Sequence, residues 1–151
     1  MRRCEWVLDT WVLRVAADVS DDLALDALAL LREILEHHSI ALDAEGHIWR
    51  EYQRNIAPKS HVEKWWALMV SRGRTVRCSG KLDRRPEEHL LESLKFHNDD
   101  LPFVGVACKT KSRLLVAEES DYTDQVAQYL KLELGVQVLG IRDALNIVRD
   151  P

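Results

Sequence analysis

Five short apolar runs, each of strand length and each succeeded by residues at helical spacing, constrain this chain more than any other feature. They are Trp6 to Leu8, Ser39 to Leu42, Arg74 to Cys78, Arg113 to Ala117 and Val136 to Leu139. Strand alternating with helix predicts an α/β fold, with a parallel sheet covered on both faces and joined by right-handed crossovers. No linker, repeat or low-complexity tract breaks the alternation, so residues 1–151 are read as one domain. In such sheets ligands bind beyond the carboxyl ends of the strands. The residues just past each strand therefore matter most.

Between the strands, apolar spacing places the helices. Ser20 is expected as the N-cap of a helix with Asp21 and Asp22 in its first turn. Leu23, Ala27, Leu30, Leu31 and Ile34 form its buried face, and it ends near His38, with His37 and His38 at its C-terminus. A second helix is expected from about Ala44 to Ile56, with Ile48, Tyr52 and Ile56 on one stripe and Pro58 beyond it. Ser60 and Glu63 read as a capping box for a third, which carries Val62, Trp65, Trp66 and Met69 and closes at Gly73. Pro86 opens another, with Leu90, Leu91 and Leu94. Others run through Phe103 to Ala107, from Tyr122 to Glu133 up to Gly135, and across Ile141, Ala144, Leu145 and Val148. Of Trp65 and Trp66, one is expected in the core and its neighbour partly exposed. Together with Trp49 they exceed what one small core holds, which predicts a homodimer patch.

Charge is unevenly spread. The net charge of −4 argues against nonspecific coating of nucleic acid. Yet Arg72, Arg74, Arg77, Lys81, Arg84 and Arg85 face a single acid, Asp83, within one stretch, and Lys109, Lys111 and Arg113 make a second cluster. Solvated loop charge is the bland reading; the functional one makes Arg72, Arg74, Arg77 and Lys81 phosphate contacts. No apolar run is long enough to span a bilayer, and the first one stops at Asp9, too short for a signal peptide. Cys4, Cys78 and Cys108 form no CxxC pair, which suggests reduced thiols and a cytoplasmic location. None of the six histidines has zinc spacing with a cysteine.

The acids carry the chemistry. Asp9 closes the first strand, and Glu118, Glu119 and Asp121 close the fourth. Glu51 flanks the buried stripe of the second helix beside Tyr52, and Asp100 precedes the core face of Phe103, Val104 and Ala107. Singly, each reads as a helix cap. Jointly they would repel, and one would stay protonated unless a cation neutralised them. Hard oxygen donors suit Mg2+ or Mn2+, and phosphodiester hydrolysis by metal-activated water is the chemistry that needs them. Asp99 competes with Asp100 for its place, and Asp43 and Glu45 compete with Glu51, although both read better as caps. Trp11 stands where an aspartate-nucleophile phosphatase needs a second acid, and no glycine-rich phosphate loop is present.

The motifs V-L-D-T (Val7 to Thr10), I-W-R-E-Y (Ile48 to Tyr52), D-x-x-F-V-G-V-A (Asp100 to Ala107) and L-L-V-A-E-E-S-D-Y (Leu114 to Tyr122) resemble the PIN-domain nucleases. They stand in that family's order and cover most of the chain, and V-L-G-I-R-D-A-L resembles its last strand and helix. The resemblance implies a Rossmann-like three-layer fold with a short parallel sheet of about five strands. It implies a metal-dependent endoribonuclease acting on single-stranded RNA with Mg2+ or Mn2+, in many bacterial members a toxin held by an antitoxin. It implies Asp9, Glu51, Asp100 and Glu119 as catalytic acids, with Asp9, Asp100, Glu119 and Asp121 as metal ligands. Three positions depart from the pattern: Trp11 replaces a polar residue, Ala117 a threonine and Glu119 an aspartate. They define a second reading, a PIN-like binding module or complex subunit that does not cut.

Overall fold

The computed structural model describes residues 3–118 and 120–150. Strands β1 (Glu5–Leu8), β2 (Ser39–Asp43), β3 (Thr75–Cys78), β4 (Leu114–Val116) and β5 (Gln137–Leu139) form a parallel sheet in the order β3-β2-β1-β4-β5. This is the α/β architecture that the alternation predicts. Trp6, Val7, Leu8, Ile40, Ala41, Leu42, Leu115 and Val116 are fully buried. Continuous apolar runs rather than alternating ones are what a sheet covered on both faces requires. Leu8 pairs with Val116. Asp9 thus leaves the sheet level with Ala117, donating its N–H to the Val116 carbonyl at 2.9 Å.

The helices are α1 (Thr10–Ala17), α2 (Ala24–His37), α3 (His47–Asn55), α4 (His61–Ser71), α5 (Arg84–Glu88), α6 (Leu101–Lys109), α7 (Asp124–Tyr129) and α8 (Ile141–Arg149). A 3-10 turn, Asn98–Asp100, leads into α6, and π-helical turns extend α5 through His89–Ser93 and α7 through Leu130–Leu134. Helix α2 packs against α1, α4 and α8, while α6 packs against β2, β1 and β4. Right-handed crossovers put these two groups on opposite faces.

Three local expectations need correction. Helix α1, which the spacing does not place, begins directly at Thr10 and is capped by Asp9. Ser20, expected as the cap of α2, instead donates its N–H and hydroxyl to Asp18, and the Leu23 N–H goes to Asp21, so α2 starts only at Ala24. Helix α3 starts at His47 rather than Ala44, because Gly46 turns at φ +85° and the Asp43 carboxylate takes the His47 and Ile48 N–H groups at 2.9 and 2.7 Å. Trp65 and Trp66 are both buried, at 6% and 7% exposure. The Trp65 indole donates to the Leu31 carbonyl, and Trp66 packs against Trp49 at 5.1 Å and Tyr52 at 5.4 Å. Trp65 and Trp66 thus belong to the interior, and Trp49 is half-buried beside them. Ser60 does cap α4, as expected, accepting the Glu63 N–H at 3.2 Å.

Candidate active site

The chain adds β2 and β3 on one side of β1 and places β4 and β5 on the other. The carboxyl ends of β1 and β4 are thus the topological switch point, where an open sheet leaves room for a ligand. Asp9 is the first residue past β1, 5% exposed, with Oδ2 accepting the Trp11 N–H at 3.2 Å. Burial pushes its carboxyl up to about 7, and the charge of Asp100 adds to that. Glu51 and Asp121 raise it further, while the Trp11 N–H opposes them. Asp100 is pushed up to about 6, first by burial and then by Asp121, with His97 opposing. Four acids from four elements therefore act on one another: the β1 end, α3, the turn before α6 and the β4–α7 connection. Clustered, buried carboxylates hold their protons more tightly in this way because each disfavours the charge of the others.

Glu51 is held in place from three sides. The Thr10 hydroxyl donates to its Oε1 at 2.7 Å, and His47 Nε2 stands 3.8 Å from its Oε2. One residue on, the Tyr52 hydroxyl donates to the Leu8 carbonyl and pins α3 to the end of β1. Tyr122 is a further participant. Its hydroxyl is buried without a hydrogen-bond partner, and burial with the charges of all four acids pushes the phenol well up. Thr10, His47 and Tyr122 were not singled out from the sequence. Thr10 and Tyr122 directly follow Asp9 and Asp121, and His47 is four residues before Glu51, on its face of the helix.

A cleft of about 550 Å3 opens here, lined among others by Arg14, Glu51, Phe96, His97, Asp100 and Asp121. Asp9 does not line it. Glu119, expected as the fourth acid, lies outside the described residues. Among the described residues, no three carboxylate, imidazole or thiol side chains stand together at metal-holding distance. Mg2+ keeps several waters and is bound through one or two carboxylates plus substrate phosphates. The acids offer hard oxygen donors, with the His97 imidazole in the cleft and His47 beside Glu51, and burial pushes the Cys78 and Cys108 thiols up, away from thiolate chemistry.

The alternative acids have other work. Asp43 caps α3, and Glu45 accepts the Gly80 N–H at 2.7 Å. Asp99 is exposed, 3.9 Å from His97. The basic stretch is divided. Arg72 ends α4 and Arg74 precedes β3, so both stand at the amino end of the sheet, away from the acids. The Arg77 guanidinium lies over the Trp49 ring at 5.3 Å. Lys81 alone of the four lies past the carboxyl end of β3, in a cavity of about 480 Å3 with His47, Arg50 and Asn98.

An acidic centre at the switch point of a five-stranded parallel sheet, with helices on both faces, defines a Rossmann-like three-layer domain of the PIN fold. The fold is similar to a solved structure, VapBC2 from Rickettsia felis bound to a DNA fragment from their promoter. The TM-score is 0.51 at 14% sequence identity, over 90% of this chain and 98% of that one. At that identity the likeness is one of fold. No family model and no curated protein matches the sequence.

Proposed function

We propose that this chain is a metal-dependent endoribonuclease that hydrolyses phosphodiester bonds of single-stranded RNA. The convergence of Asp9, Glu51, Asp100 and Asp121, brought from four elements to the switch point, carries the reading. Asp9, Asp100, Asp121 and Glu119 would hold Mg2+ or Mn2+, which supplies an activated water and offsets phosphate charge. Thr10 occupies Oε1 of Glu51, and Oε2, beside His47, would take the proton of the attacking water. The hydroxyl oxygen then bonds to phosphorus as the leaving ribose oxygen departs and takes a proton from solvent. Arg14 in the cleft faces the substrate phosphate. The toxin setting that the resemblance implies, with an antitoxin protein as partner, accords with a fold shared with VapBC2.

Incubation of the purified protein with labelled single-stranded RNA tests this. Cleavage is expected with Mn2+, abolished by chelator and by Asp100→Asn; cleavage that ignores chelator would contradict it. The open spacing of the described acids also favours a second reading, a binding module. That reading predicts RNA retention without cleavage in the same tubes.

A further inference from the structure

We propose that the cavity walled by Trp11, on the β4–β5 side of the acid cluster, is a subsite for one nucleobase of the RNA, with the indole as its stacking surface. The inference rests on the nuclease reading. Of the five tryptophans, Trp6, Trp65 and Trp66 are buried. Trp49 lies between the Trp66 ring and the Arg77 guanidinium, at 5.1 and 5.3 Å. Trp11 differs from all four. It is half-buried, and among the described residues its ring packs against no other aromatic ring.

The cavity beside it measures about 420 Å3 and is lined by Trp11, Leu23, Ala117, Gly140, Ile141 and Arg142, among others. That volume falls in the small-ligand range of roughly 300–1,000 Å3. Ala117 and Gly140 are the first residues past β4 and β5, so the cavity opens on the same edge as Asp9. Trp11 belongs to the turn that holds Asp9, its own N–H bonding that carboxylate. A base on the indole therefore has its sugar and phosphate beside the acids. Phosphate does not suit the cavity itself. Its cation, Arg142, is engaged by Asp26 at 3.2 Å, and Asp143 and Glu118 also line it. Leu23, Ala117 and Ile141 supply apolar contact beside these charged groups, the indole supplies an aromatic face, and stacking on an aromatic side chain tolerates any base. Trp11 and Ala117, two of the departures from the PIN-like pattern, meet in this cavity: one adds a ring, the other leaves room for its ligand.

The test compares the parent with Trp11→Ala, Trp11→Phe and Trp49→Ala, after thermal melts confirm that each folds. Cleavage of single-stranded RNA with Mn2+ is expected to show KM raised about tenfold to a hundredfold in Trp11→Ala, the loss of one stacked base. Trp11→Phe should lie between, with kcat changing little in either, and Trp49→Ala should match the parent. Oligonucleotide should quench the intrinsic fluorescence of the parent but not of Trp11→Phe. Unchanged KM and quenching in the Trp11 variants would overturn the subsite while leaving the nuclease reading intact. A folded parent that neither binds nor cuts RNA overturns both.

Discussion

Asp9 holds two jobs that pull against each other. Its Oδ2 caps α1, which favours the carboxylate, yet burial and three neighbouring acids favour the protonated form and prevail, leaving the group near 7. This has a consequence for stability without metal. Unfolded, Asp9 and Asp100 titrate near 3.8; folded, near 7 and 6. The folded chain thus holds protons that the unfolded chain has released. Their stabilising contribution is complete below about pH 4 and is lost as pH rises through 6 and 7. In chelator the protein is expected to melt higher at pH 5 than at pH 8, and Asp100→Asn should flatten that dependence. A variant with the parent's slope would show that other groups set it. Thr10 is the second test at this scale. Thr10→Ala removes a hydrogen bond to a charged group, worth about 1.5–3 kcal/mol where buried and less at this half-buried Glu51. Circular-dichroism melts should show about 1 kcal/mol lost. RNA cleavage should fall about tenfold as Glu51 loses its alignment.

At the scale of elements, what could be read in the chain depended on whether local signals stood alone. The Ser60 cap and the αL turn at Gly73, with φ +66°, formed as read, although the Glu63 side chain accepts the Lys59 N–H and not that of Ser60. Helix α1 was illegible. Thr10 to Ala17 is almost wholly apolar and enclosed by α2, α3 and α4, and a short buried run cannot be told from strand or loop by periodicity. Ser20 before Asp21 and Asp22 has the pattern of a cap, but Asp18 takes its N–H and hydroxyl. Gly105 carries a constraint of this kind. A Cβ there would stand 1.8 Å from the Gly80 carbonyl oxygen, because α6 presses on the segment after β3. Gly105→Ala should cost about 1–3 kcal/mol or more by overpacking. It should also reduce cleavage, since α6 begins beside Asp100. Denaturant melts that match the parent would mean the two backbones part freely.

Across the whole molecule, the sheet order decides which charges can work together. Asp9, Glu51, Asp100 and Asp121 are remote in sequence and share one edge because crossovers return every strand in parallel. Alternation and motif order made that much legible. The basic stretch is divided because neighbours in sequence straddle a strand: Arg74 and Lys81 flank β3, whose four residues span about 13 Å. Salt titrations of RNA binding should separate them. Lys81→Ala and Arg14→Ala are expected to lower the slope of log affinity against log salt by about 0.7 each. Arg72→Ala and Arg74→Ala should leave it unchanged. Equal effects at both ends of the sheet would place the RNA path elsewhere.

The central claim is that Asp9 anchors a divalent cation among converging acids. Thermal melts of the parent and of Asp9→Asn, each in chelator and in Mn2+, test it most directly. Asp9→Asn removes a ligand and a like charge together. In chelator at pH 8 the variant is expected to melt at or above the parent, by about 2–4 °C for each kcal/mol of relieved repulsion. Mn2+ should raise the parent by mass action and leave Asp9→Asn nearly unmoved. If the variant is less stable in every buffer, by about the 1 kcal/mol of a lost cap, and the parent ignores Mn2+, then Asp9 is only the cap of α1 and the acidic centre holds no metal.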